Sequence, residues 1–191
     1  MMGGYGMGVY RIHRSVDISF AHHVRGHRGA CVNLHGHTWK FEVGLRARDL
    51  DASGFVIDFG ELSSRVLRPC HALLDHALAV GEATFADIGD QLEPLGVRLL
   101  ASREAVHGPG TVAPSEGPLP QPMRLNGAEL RHPGGLKVCV FPFSPTSERL
   151  AAWLFELADA ELASDRVGID FARIYETLHP VESVAEYRRD G

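Results

Sequence analysis

The chain reads as an α+β protein in the order strand, strand, helix, helix, strand. Residues 9–22 and 34–48 alternate apolar and polar side chains with the two-residue period of half-buried strands. The stretches that begin at Asp58 and at Ser144 instead place apolar side chains three and four residues apart, the spacing of a helix with one buried stripe.

In the first strand Val16, Ile18 and Phe20 alternate with Asp17, Ser19 and Ala21. A loop rich in Gly, His and Arg follows over 23–33. In the second strand Trp39, Phe41, Val43 and Leu45 alternate with Lys40, Glu42, Gly44 and Arg46. The two are expected to be antiparallel neighbours with one face buried. Asp58 and Glu61 have the spacing of a capping box, and Phe59, Leu62, Val66, Cys70 and Leu73 continue as a helical stripe. The second helix is expected from the stretch 144–148, with Ser144 as cap and Pro145 in the first turn. Leu150, Leu154, Leu157 and Leu162 form its stripe. Residues 167–177 read as the last strand. Between 77 and 137 the order weakens. Residues 84–106 are expected to hold a short helix with Phe85, Ile88 and Leu92 on one side. Residues 108–122, rich in Pro and Gly, read as a loop, and Asn126-Gly127 as a hairpin turn.

The 191 residues are enough for one domain with a real core. Apolar residues at 45% and charged residues at 23% argue against global disorder. A net charge of −5 argues against a broad electrostatic grip on nucleic acid. No apolar run approaches the roughly 20 residues of a membrane span. The first fifteen residues lack the apolar core of a signal peptide, so a cytoplasmic location is expected, with no membrane partner. Cys31, Cys70 and Cys139 are odd in number and lack zinc-finger spacing, which argues against a disulfide framework.

The informative segment runs from Cys31 to His37. His35 and His37 are two apart and share parity with Trp39, Phe41, Val43 and Leu45, so both imidazoles lie on the apolar face. The same test on the first strand places His22 with Val16, Ile18 and Phe20, and His23 on the other face. One histidine on an apolar face is most simply a satisfied core residue. Three on one face each need a polar partner, and three imidazoles with an open fourth position suit catalytic zinc.

These residues carry a resemblance. I-S-F-A-H at 18–22, C-V-N-L-H-G-H at 31–37, V-I-D-F-G-E-L at 56–62, L-D-H at 74–76, P-T-S-E at 145–148 and Y-E-T at 175–177 occur in the order found in the 6-pyruvoyl-tetrahydropterin synthase / 6-carboxy-tetrahydropterin synthase family. Each piece is short, but six in order are specific. The four-residue spacing from Cys31 to His35 is similar to the bacterial 6-carboxy, queuosine-pathway type. The resemblance implies the tunnelling fold: a four-stranded antiparallel sheet with two helices on one face, assembled into barrels, usually a homohexamer of two trimers. The fourth strand would be 135–143. It implies a single such domain over 1–191 with an unusual insertion at about 77–136.

It also implies zinc held by His22, His35 and His37. The implied substrate is 7,8-dihydroneopterin triphosphate, converted to 6-carboxy-tetrahydropterin with release of acetaldehyde and triphosphate. Cys31 would transfer a proton, as would the Asp75–His76 pair. Glu176 would bind the pterin, with Thr146 and Ser147 adding hydrogen bonds, although helix capping explains those two almost as well. Asp75 and His76 also read as a plain helix end. Two alternatives stand beside this reading. One is a pyruvoyl-type or pathway-specific lyase on the same pterin. The other is a non-catalytic zinc- or pterin-binding module. The family's L-D-H-x-x-L-N continues here with Ala79 and Val80 in place of its last two residues.

Overall fold

The computed structural model describes residues 8–108, 123–177 and 182–190. Most of the loop expected over 108–122, and the start of the N-terminal segment, lie outside the described residues.

β1 (Tyr10–His22) and β2 (His35–Ala47) are the two alternating strands; burial follows the parity in β1, whereas in β2 Glu42 and Gly44 on the opposite face are buried as well. Ile18, Phe20 and His22 of β1 are buried, as are Trp39, Phe41, Val43 and Leu45 of β2. A helical segment then runs as α1 (Phe59–Leu62), a π turn (Ser63–Leu67) and α2 (Arg68–Leu74). Asp58 caps it by accepting from the Gly60 amide at 2.5 Å. Glu61 does not close the expected box; its carboxylate accepts from Arg65 at 2.9 Å. Leu62, Val66, Cys70 and Leu73 are buried, but Phe59 is half exposed and lies off the stripe. β3 (Leu78–Gly81) leads into α3 (Glu82–His107), then the β4 (Arg124–Leu125) and β5 (Ala128–Arg131) hairpin, β6 (Val138–Phe141), α4 (Ser147–Leu162), β7 (Val167–Thr177) and β8 (Ser183–Tyr187).

The α+β class holds, with one correction. The described strands hydrogen-bond in the order β4-β5-β6-β3-β1-β2-β7-β8, eight rather than four. The sheet is also mixed. β3 pairs parallel to both β1 and β6, whereas β2–β7, β7–β8, β4–β5 and β5–β6 are antiparallel. The four expected strands are β1, β2, β6 and β7. The additions are the four-residue β3, too short to show a period; the hairpin turned by Asn126 and Gly127, both at positive φ; and β8 beyond β7.

The Cα trace separates into two compact units. The first holds residues up to Ser19, His37–Ala72 and those from Thr146 on. Here α4 packs on β7 and β8, burying Leu150, Leu154 and Leu157. Thr146, not Ser144, caps α4 by accepting from the Arg149 amide at 3.4 Å. A shift of register in the β2–β7 ladder falls at Gly44, where an added Cβ would run into the Phe171 ring. Arg173 stacks on that ring, 4.0 Å from its centroid. Glu42, also buried, accepts from Arg173 at 3.2 Å and from the Tyr175 hydroxyl at 3.0 Å, and lies 2.8 Å from His13 Nδ1.

The second unit holds Phe20–Gly36 and Leu73–Pro145. Its core gathers Val80, Val138, Val140 and Leu92, with Phe85 and Ile88 against them. The helix expected to be short has 26 residues and runs through Pro94. Close packing supports it there: Gly96 faces the carbonyls of Pro133 and Gly134, and a Cβ added at Gly134, whose φ is 55°, would run into the Glu93 carbonyl and lie 2.9 Å from the Val97 nitrogen. No helix among the described residues is long and apolar enough to cross a membrane.

Candidate functional site

β1 ends on His22 and β2 begins on His35, and the loop between them returns the chain so that the two rings meet. Their Nε2 atoms lie 3.0 Å apart and their ring centroids 4.5 Å apart. His22 Nδ1 is 3.0 Å from the Pro145 carbonyl oxygen, and His35 Nδ1 is 2.9 Å from the Asn33 carbonyl oxygen. A carbonyl can only accept, so each neutral ring carries its hydrogen on Nδ1 and turns the Nε2 lone pair inward. Two lone pairs then face each other, and a cation satisfies both. Zinc with bonds of about 2.0–2.1 Å in a tetrahedron sets two such nitrogens about 3.3 Å apart, close to the observed separation. The donor set therefore fits a metal, and the two carbonyls are the outer partners that commonly orient metal-binding imidazoles.

In the first unit, His37 Nε2 lies 3.7 Å from Glu176 Oε1. The edge of Trp39 supports the His37 ring, with centroids 5.4 Å apart at 89°. Ser147, at the first turn of α4, donates its hydroxyl hydrogen to the other Glu176 oxygen. Glu176 is thereby held by the helix that Thr146 caps, and Ser147 acts on the carboxylate. β2 runs through both units, so His35 and His37 occupy one face of one strand. His22, His35, His37 and Glu176 are the residues of metal-ligand type that these two pairs supply.

Cys31 is half-buried on a single 3-10 turn, Ala30–Val32, and its carbonyl accepts from the Val24 amide at 3.0 Å. Cys70 and Cys139 are fully buried. His76 Nδ1 lies 2.9 Å from an Asp75 carboxylate oxygen. The pair sits at a helix end, as its plain reading has it: the Ala77 amide donates to the Leu74 carbonyl at 2.8 Å, and Lys137 donates to the Asp75 carbonyl at 2.6 Å. His76 adopts φ 58°, uncommon for a residue with a side chain and of the kind that collects at functional sites. His23 and His27 turn elsewhere, His23 toward Thr84 at 3.3 Å and His27 accepting from the Gly29 amide at 3.1 Å.

The orienting carbonyls of Asn33 and Pro145 escaped the sequence reading, because a backbone acceptor carries no residue signature. The hydroxyl of Ser147 makes its hydrogen bond to Glu176.

The family model for 6-pyruvoyl tetrahydropterin synthase matches residues 11–190. The chain belongs to this family. Among curated proteins, the 6-carboxy-5,6,7,8-tetrahydropterin synthase of Haemophilus influenzae is 40% identical over 73 residues, 36% of this chain and 51% of that protein. The enzyme of the same name from Rickettsia typhi is 34% identical over 80 residues, 42% of this chain and 57% of that one. The chain thus spans about half the length of the curated relatives it matches, and those relatives are of the bacterial 6-carboxy type. Solved structures show the family fold over nearly the whole chain. An uncharacterized protein of Wolinella succinogenes superposes with a TM-score of 0.61 at 22% identity, covering 94% of this chain and 99% of that one. The Caenorhabditis elegans 6-pyruvoyl tetrahydropterin synthase superposes at 0.52 and 16%, covering 98% and 100%.

Proposed function

We propose that this member of the 6-pyruvoyl tetrahydropterin synthase family is a zinc-dependent lyase that converts 7,8-dihydroneopterin triphosphate and one water to 6-carboxy-tetrahydropterin, acetaldehyde and triphosphate. The observation that carries the reading is the pair of inward-facing Nε2 atoms on His22 and His35, each fixed by a carbonyl behind it. The names of the curated relatives support the substrate class and the 6-carboxy product.

In this reading His22, His35 and His37 hold the ion, and a bound zinc supplies Lewis acidity to the side-chain oxygens of the substrate. Glu176, held by Ser147, accepts from the N–H edge of the pterin, which presents two donors to one carboxylate. Cys31 takes a proton from the substrate side chain as thiolate. His76, paired with Asp75, passes a proton at its Nε2, with the carboxylate fixing the opposite nitrogen. The chain forms one tunnelling-fold domain with 77–136 inserted, and it assembles as a homohexamer of two trimers in the cytoplasm.

The test is to incubate zinc-loaded protein with 7,8-dihydroneopterin triphosphate and identify products by mass spectrometry. Acetaldehyde together with triphosphate is expected. Triphosphate without acetaldehyde would assign the pyruvoyl-type reaction, which the name of the matching family model favours. Substrate left intact by zinc-bound protein would overturn the lyase reading. A Cys31→Ala variant should keep zinc and lose turnover, whereas a binding module would be unaffected.

A further inference from the structure

The loop that carries Cys31 is tied to the start of α3 by contacts the proposed chemistry does not use. Arg25 donates to the Ala83 carbonyl at 3.1 Å and forms an ion pair with Asp87, one turn into the helix. The Arg25 amide donates to the Ser144 hydroxyl at 3.3 Å. Thr84, 4% exposed, meets His23 Nδ1 through its hydroxyl at 3.3 Å. Inside the loop the Val24 amide donates to the Cys31 carbonyl, so the residue next to Arg25 is pinned to the residue that bears the thiol. A cavity of about 380 Å³, lined by Leu34 and Ile88 among others, lies beside these contacts. The loop is thus held here at a few polar points.

We infer that the first turns of α3 position the Cys31 thiol, with Arg25 as the positioning residue that joins helix to loop. α3 lies in the stretch that the family resemblance marks as inserted, so this tie would set the thiol by means of this chain's own added helix. The inference rests on the reading of Cys31 as the proton-transferring group. Arg25 reaches Asp87 across 62 residues of sequence, which makes the contact a tertiary constraint on the loop.

Cysteine alkylation tests it in the full-length protein. Cys70 and Cys139 are fully buried and Cys31 is half-buried, so iodoacetamide reports on Cys31 in the native state, with the site confirmed by mass spectrometry. An exposed ion pair contributes up to about 1 kcal/mol, so Arg25→Ala is expected to speed Cys31 alkylation by about fivefold at nearly unchanged Tm. It should lower kcat for the pterin more than it changes KM. Reversing the pair with Arg25→Asp and Asp87→Arg together should restore part of both rates, since an aspartate at 25 re-forms the ion pair but not the bond to the Ala83 carbonyl. Thr84→Val provides a second, independent release of the loop. Unchanged Cys31 alkylation in Arg25→Ala and in Thr84→Val would overturn the inference, as would a reversed pair that restores no part of either rate. If the wild type turns over no pterin while Arg25→Ala still speeds alkylation, the lyase reading fails and the tie between helix and thiol stands.

Discussion

His22 and His35 turn their Nε2 atoms toward each other at 3.0 Å while a backbone carbonyl holds each Nδ1. A metal that binds the folded chain alone stabilises it by mass action. Zinc at a hundred times its dissociation constant is expected to add about 2.7 kcal/mol to unfolding, and a chelator to remove it. Denaturant titration with and without zinc checks this. Replacing either His22 or His35 by Ala should abolish the difference and lower bound zinc measured by atomic emission. Full zinc content in both variants would refute the assignment.

Ser147 offers a way to separate substrate binding from the metal. Its hydroxyl holds Glu176, while helix α4 is capped independently by Thr146. Ser147→Ala should therefore leave folding and zinc content intact. A hydrogen bond to a charged group contributes about 1.5–3 kcal/mol, so KM for the pterin is expected to rise about tenfold or more. Steady-state kinetics alongside zinc analysis will show whether the two properties part in this way.

Among the described glycines of the second unit, Gly134 has the least room for a side chain. It combines φ 55° with direct contact to the Glu93 carbonyl on α3. Gly134→Ala adds an unfavourable backbone conformation to a steric clash, and a loss of more than about 2 kcal/mol is expected in equilibrium unfolding. A loss under 0.5 kcal/mol, on the order of an ordinary surface change, would show that α3 does not depend on this contact.

His132 makes one limb of the pH profile. Its Nε2 is buried without a hydrogen-bond partner among the described residues, and burial, aided by the nearby Lys137 charge, pushes its pKa below the usual 6.5. The folded form therefore keeps this ring neutral while the unfolded chain takes up a proton first. The sign follows: stability is unaffected well above pH 6.5, falls as pH drops through 6.5, and levels once the folded form also protonates. His132→Phe, which cannot titrate, should flatten that part of the curve in denaturant titrations at stepped pH. An unchanged slope would place the titrating group elsewhere.

The parts of the fold legible in the sequence were those with a long period. The thirteen-residue strands β1 and β2 and the stripe of α4 carry enough turns of pattern to fix both their type and their buried face. The parity that put His22, His35 and His37 on one side is the same signal. β3 was not legible, because four residues cannot display a period and its pairing is decided by distant strands, whereas the β4–β5 hairpin was marked by its Asn126-Gly127 turn. The length of α3 was hidden by Pro94, Gly89 and Gly96, which lower local helix preference. The turn at Pro133–Gly135 that supports the helix is more than thirty residues away. The cap of α4 stayed open in the sequence, since Ser144, Thr146 and Ser147 all suit one, and the structure gives it to Thr146.

The Gly44–Phe171 contact has a consequence for how this sequence can change over time. The ring occupies the volume a side chain at 44 would need, and the Arg173 guanidinium stacks on the same ring. Neither position can vary alone without cost: a larger residue at 44 needs a smaller one at 171, and a smaller residue at 171 leaves a gap on the glycine and a guanidinium without its platform. The two sites should therefore covary among homologues, with position 173 drifting away from Arg in lineages where the aromatic ring has been lost.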